Sequence, residues 1–255
     1  MLTRILVAAV LSPIVIFFVF SKNPYFFIGI AVIFLTLALN EMYSMLDKKK
    51  MKAYAVTGNI FSLVTYVLVI IRPEPAFYFA CFGFFVMTCL AQVIFSRDEK
   101  NLLRVFYTVL PVAYITTLGT FGIHLRMLEN GSWHIFLLLL LTLVYDSGAY
   151  FAGTAFGRTK LIPELSPGKS VEGCVGGVIV NLITGLVIYF TLLPKGLLGE
   201  HGWIHMAVLS VLLAFTGQIG DIAESVFKRY TGVKNSSNIL LTHGGALDRI
   251  DSAMF

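Results

Sequence analysis

IFLLLLLTLVYDSGAYFA, residues Ile135–Ala152, sets an aspartate at the end of an unbroken apolar run. A membrane span needs roughly 20 mainly apolar residues. A carboxylate central in such a span costs roughly 2.5–3.5 kcal/mol on insertion scales. Asp146 must therefore face a cavity, a cation or a partner charge, or else reach water from the helix end. The rest of the chain repeats the apolar pattern. Of its 255 residues, 57% are hydrophobic and 13% charged. Soluble domains average about 45–50% and about 25%. That contrast excludes a disordered chain and an ordinary soluble enzyme.

Eight runs reach or approach spanning length: Ile5–Phe20, Tyr25–Met45, Ala53–Ile71, Ala76–Ser96, Val105–Ile123, Ile135–Ala152, Gly173–Leu193 and Ile204–Ile219. No A-x-A-like cleavage site follows the first, so it reads as a retained helix. The expected fold is an all-α polytopic membrane protein of about eight transmembrane helices. Residues 1–134 form its N-terminal helices, and 135–255 a C-terminal membrane region with polar loops. With the N-terminus inside, 15 of the 19 basic residues fall on inside loops. They are Arg4, Lys48, Lys49, Lys50, Lys52, Arg97, Lys100, Arg104, Arg158, Lys160, Lys169, Lys228, Arg229, Lys234 and Arg249. Lys22, Arg72, Arg126 and Lys195 fall outside. This asymmetry predicts both termini in the cytoplasm. The net charge of +5 then reports orientation, and no nucleic-acid partner is expected. Lys48–Lys50 read as anchors to anionic headgroups. Asn40 and Glu41 read as residues that cap or bridge helices at the inner boundary. Cys81, Cys89 and Cys174 lie inside spans and suggest neither a disulfide framework nor zinc.

Two inside stretches break the apolar monotony. The first is DSGAYFAGTAFGRTKLIPELSPGKSVEG, Asp146–Gly173. It holds Arg158, Lys160, Lys169 and Ser170 with several glycines, like a phosphate loop in a loose sense. It contains neither a Walker nor a Rossmann pattern. Gly153–Gly157 and Gly173–Gly177 also fit small-xxx-small helix packing, and Ser166-Pro167 reads as a turn. The second stretch, Gly217–Ser252, contains Asp221, Glu224, Ser225 and Lys228 at helical spacing. They form one polar stripe if the segment is helical. The alternative is a solvated face with an ion pair between Glu224 and Lys228. Then comes THGGALDRID, Thr242–Asp251. Gly244-Gly245 permits close backbone approach. Asp248 and Asp251, three apart, can share a face and bind a divalent cation through oxygen. His243 suits either a phosphate or a loop carbonyl.

These residues resemble the phosphatidate cytidylyltransferase, or CDP-diglyceride synthetase, family. Its signature runs S-x-x-K-R, four residues, K-D, then H-G-G-x-x-D-R-x-D. Ser225, Lys228, Arg229, Lys234, His243, Gly244, Gly245, Asp248, Arg249 and Asp251 match in type and spacing. Gly220-Asp221 and Glu224 match the lead-in. Asp146 onward is similar to the family's D-S-x-A-Y and S-P-x-K-[ST]-x-E-G elements. The family's acid after the lysine is Asn235 here, and a neutral amide binds Mg²⁺ more weakly. The family has about nine spans, so a further apolar helix is expected after Phe255.

The resemblance implies Mg²⁺-dependent conversion of CTP and phosphatidate to CDP-diacylglycerol and pyrophosphate, while the compact length and lack of targeting extensions lead to the expectation of a bacterial inner membrane. It leaves room for a second cation and for a homodimer. Asp221 and Asp248 are the expected main Mg²⁺ ligands, supported by Asp146 and Asp251. Lys228, Arg229, Lys234 and Arg249 would hold the triphosphate. Arg158, Lys160, Lys169 and Ser170 would hold the lipid phosphate or close over the nucleotide, with Ser225, His243, Gly244 and Gly245 in substrate contact. A CTP-dependent lipid kinase or a transporter with an intramembrane carboxylate remains the alternative. From Asp146 onward the inside loops carry seven basic and seven acidic residues. A neutral site for two polyanions points to bound cations.

Overall fold

The computed structural model describes residues 13–72, 74–96, 99–237 and 244–254. Most of the first expected run, with Arg4, lies outside the described residues, as does Arg97; residues 13–19 are helical. The elements are helices α1 (Pro24–Lys48), α2 (Ala55–Ile71), α3 (Pro75–Ser96) and α4 (Glu99–Pro111), a π-helical turn (Val112–Thr117), and α5 (Leu118–Met127) and α6 (Gly131–Phe156). A hairpin of β1 (Lys160–Ile162) and β2 (Ser166–Ser170) follows, then α7 (Val171–Thr191), α8 (Gly202–Thr231) and α9 (Leu247–Met254).

Six described segments are long and apolar enough to cross a membrane: Pro24–Lys48, Phe77–Ile94, Asn101–Met127, Gly131–Phe156, Val171–Thr191 and Gly202–Thr231. The expected third run is helical but shorter. The 17 residues of α2 span about 26 Å at the usual helical rise, short of a hydrocarbon core of about 30 Å. Large side chains point outward, such as Phe84 at 74% and Phe190 at 73% exposure, while Thr116, Asn181 and Ser210 are buried. That inversion suits lipid as the surrounding solvent. The chain is an integral membrane protein.

The described chain forms two compact units. One takes the chain up to Gly131 together with Tyr230–Ile250; the other takes Ser132–Arg229 and the residues from Asp251. In the first unit, α1 begins where the Asn23 side chain accepts from Tyr25 N at 3.0 Å, with Pro24 at the first helical position. Proline is tolerated there because that N–H has no helical partner. Ala38, Leu39, Met45, Val69, Val112 and Ile115 are fully buried. Asn40 pairs with Asn59 through both amides, at 3.1 and 3.0 Å, and so bridges α1 to α2. Pro111 interrupts the helix that follows: it lacks an N–H and its ring crowds the preceding turn. The π-helical turn begins at the next residue, and Thr116 from it meets Ser62 of α2 at 2.6 Å. Lys49 differs from the headgroup anchor that its sequence context suggests. Its Nζ donates to the Tyr230 carbonyl at 2.7 Å and lies 3.7 Å from that ring's centre.

In the second unit, α6 and α7 pack through small residues. A Cβ built on Gly177 would press on Tyr145 and Ala149, and one on Gly173 would meet Ala149 and Gly153 backbone. Asn181 of α7 donates to the Ser210 carbonyl of α8 at 2.8 Å. Leu137, Ile188, Leu193 and Met206 form the apolar core. Between α6 and α7 the chain makes an antiparallel hairpin, with Lys160 opposite Ser170 and Ile162 opposite Ser166. The turn expected at Ser166-Pro167 instead falls at Pro163-Glu164, where Leu165 N donates to the Ile162 carbonyl. Proline suits the second position of such a turn. Pro167 sits in β2, where a two-stranded hairpin leaves one edge of each strand free of ladder bonds.

Gly58 of α2 leaves no room for a Cβ, which would overlap the Tyr43 hydroxyl. That hydroxyl donates to the Thr108 carbonyl at 3.1 Å. Gly58→Val is expected to cost about 1–3 kcal/mol through overpacking, read as a Tm several degrees lower in detergent.

Candidate active site

α8 has 30 residues and is about 45 Å long by helical rise, well beyond the hydrocarbon thickness. Its polar last turns therefore extend past the apolar layer. They carry Asp221, Glu224, Ser225 and Lys228 on one face, as the spacing predicts. The solvated-face alternative fails, because Glu224 is 1% exposed. The ion pair it invoked is nonetheless present: Lys228 Nζ pairs with Glu224 Oε2. Asp221 pairs with Lys169 from β2. Its other oxygen lies 3.5 Å from the Ser225 hydroxyl, at the outer limit of a hydrogen bond.

Asp251 of α9 joins them. One oxygen each from Asp221, Glu224 and Asp251 lie within 4.8 Å of one another. Asp251 is also in hydrogen-bond contact with Glu224. Two carboxyl groups so close need a proton or a cation between them. The donor set is all oxygen and anionic, which suits a hard divalent cation such as Mg²⁺. Asp146 lies open to its surroundings, with Asp221, Asp251 and Lys169 as its charged neighbours. Burial pushes the Asp251 carboxyl up to about 6, and the Asp221 charge adds to the effect.

The hairpin that delivers Lys169 is fixed at its base by Glu172. Its carboxylate accepts from Arg158 N and Thr159 N, each at 3.1 Å. Ser170 is occupied as the N-cap of α7: its hydroxyl accepts from Gly173 N at 3.1 Å. That bond satisfies a helix-end donor. Arg158 and Lys160 are exposed. Arg229 directs Nε toward the Leu165 carbonyl at 3.4 Å.

In the other unit, Asp248 Oδ2 accepts from Gly245 N at 2.8 Å and from Ser236 N at 3.2 Å, and lies 2.9 Å from the Ser236 hydroxyl oxygen. That oxygen thus ties Ser236 and Gly245 to the start of α9. The two glycines also face protein carboxylates. Gly244 has φ +78°, and a Cβ there would meet Asp248; one on Gly245 would overlap Ser236 and Glu41. Lys234, Asn235 and Arg249 are exposed. His243 lies outside the described residues. Sequence reasoning passed over Glu224 as a co-ligand, although its spacing from Asp221 repeats that of Asp248 and Asp251. The S-P-x-K-[ST]-x-E-G element includes Glu172, but its hold on the Arg158 and Thr159 amides could not be read from the motif.

The polytopic helices thus carry an acid cluster with two paired lysines. Residues 2–255 match the cytidylyltransferase family, and the chain belongs to it. A Bacillus subtilis (strain 168) protein named phosphatidate cytidylyltransferase is 30% identical over 261 residues, covering 98% of this chain and 93% of its own. One of the same name from Haemophilus influenzae is 41% identical over 157 residues, covering 60% of this chain and 52% of its own. Another from Staphylococcus haemolyticus is 30% identical over 226 residues, covering 86% and 83%.

Asp251 binds its proton more tightly folded than unfolded, so its contribution to stability declines as pH rises from the ordinary carboxylate value through about 6. In EDTA, the Tm of the unaltered protein should fall relative to Asp251→Asn between about pH 4 and about pH 6, then run parallel above that.

Proposed function

We propose that this chain transfers the cytidylyl group of CTP to phosphatidate, giving CDP-diacylglycerol and pyrophosphate. One observation carries the reading: three carboxylates gathered at the polar end of a spanning helix, two of them held by lysines. Membership of the cytidylyltransferase family and the names of the relatives support it.

A phosphatidate phosphate oxygen attacks the α-phosphorus of CTP. The bond from that phosphorus to the bridging oxygen breaks, and pyrophosphate leaves with the electron pair. The attacking oxygen is already anionic at neutral pH, so no strong general base is required. Such a transfer depends on positioning and on neutralising charge. Asp221, Glu224 and Asp251 would hold Mg²⁺, with Asp146 beside them. When bound, Mg²⁺ supplies positive charge that screens the phosphates from one another. Lys169 and Lys228 already lie against the acids, so they can turn to substrate phosphate without leaving the site. Arg158, Lys160 and Arg229 add positive charge along the hairpin and the end of α8. Asp248, Lys234 and Arg249 belong to the same reading through the signature that they match. The acyl chains stay in lipid, which accounts for a nucleotide reaction housed among spanning helices. The site is assigned to the cytoplasmic side of a bacterial inner membrane, supported by the distribution of basic residues and by the bacterial relatives.

Purified protein in detergent should convert cytidine-labelled CTP and phosphatidate to labelled CDP-diacylglycerol in Mg²⁺. Asp221→Asn should lower kcat by about a hundredfold or more, as expected for loss of a charge-neutralising group. Lipid labelled only from the γ-phosphate would instead favour a kinase. No product from the chain or from Asn235→Asp would overturn the reading.

A further inference from the structure

Glu41 lies within α1 and is 3% exposed, and the transfer chemistry above makes no use of it. An ionised group among apolar helices needs strong compensation. Four donors supply it. Glu41 Oε1 accepts from Ser237 Oγ at 2.6 Å and Ala246 N at 2.9 Å. Oε2 accepts from Ser236 Oγ at 2.8 Å and Leu247 N at 2.9 Å. All of these residues belong to one compact unit.

Ala246 and Leu247 sit where α9 begins, and the first N–H groups of a helix lack partners within it. The remote carboxylate therefore works as an N-cap that the local sequence does not provide. It reaches Asp248 as well, because the Ser236 hydroxyl that meets Glu41 also lies 2.9 Å from Asp248 Oδ2. Gly245 leaves the carboxylate its space, since a Cβ there would overlap Glu41 Oε2. One side chain thus holds the backbone start of α9 and the loop partner of its first acid.

We propose that Glu41 is a positioning residue for cytidylyl transfer, fixing the start of α9 and with it the presentation of Asp248 and Asp251. The inference rests on the function proposed above. The carboxylate is required as such. In Glu41→Gln, whichever way the amide turns, its NH₂ faces two donors where an oxygen stood.

The test compares unaltered protein, Glu41→Gln and Ser237→Ala, purified in detergent. It reads kcat, KM for CTP, the Mg²⁺ concentration for half-maximal activity and the rise in Tm on adding Mg²⁺ alone. Groups that orient metal-ligating side chains typically change affinity or activity by about 10–100-fold. Glu41→Gln should lower kcat by at least about tenfold and raise the half-activating Mg²⁺ concentration to a similar degree, with KM for CTP nearly unchanged. Its Mg²⁺-induced rise in Tm should shrink. Ser237→Ala should move the same quantities in the same direction by less. A merely structural residue would lower Tm and leave the Mg²⁺ response alone. A folded Glu41→Gln with an unaltered Mg²⁺ response overturns the inference; if that variant does not fold, an unaltered response in Ser237→Ala does so. Absence of CDP-diacylglycerol from the unaltered protein and from Asn235→Asp counts against the proposed function. The Mg²⁺-induced change in Tm then still decides the role of Glu41.

Discussion

Carboxylates set among apolar helices pay a heavy desolvation cost unless a proton, a cation or several donors meet them. Several of the described carboxylates meet that constraint. Asp221 and Glu224 each take a lysine, and Glu41 takes four donors. Much of the surrounding architecture follows from these requirements. The hairpin between α6 and α7 brings Lys169 to Asp221. The long last turns of α8 bring Lys228 round to Glu224 at helical spacing. The approach of Ser236, Ser237, Ala246 and Leu247 to α1 brings hydroxyls and amides to Glu41.

What could be read in the sequence was local. The apolar runs mark the helices because spanning length is a one-dimensional property. The polar stripe Asp221–Lys228 was legible because helical periodicity places residues three and four apart on one face. The spacing of Asp251 from Asp248 and the family signature marked it as a residue to watch, and it lies beside Asp221 and Glu224. The partnership of Glu41 was not legible in the same way. Its donors lie about two hundred positions along the chain, and nothing near Glu41 hints at them. The two glycines were legible in part. Close approach was foreseen, but what approaches is the protein's own carboxylate, which only a folded chain reveals.

The hairpin teaches a smaller lesson. Ser166-Pro167 has turn-forming composition, yet Pro163-Glu164 makes the turn and Pro167 enters a strand. Two prolines four residues apart offer two turns, and pairing of Lys160 with Ser170 selects one. That choice carries weight because it sets which residues of β2 reach the acids and which become the cap of α7.

The lysine partners of Asp221 and Glu224 have one more consequence. Each ammonium competes with a divalent ion for the carboxylate it holds, and each carboxylate competes with substrate phosphate for its lysine. Under the proposed reading, ion and nucleotide release one another's binding groups. The two ligands are then linked, each strengthening the other's affinity by the same factor. A site of this kind binds either ligand alone more weakly than it binds the two together.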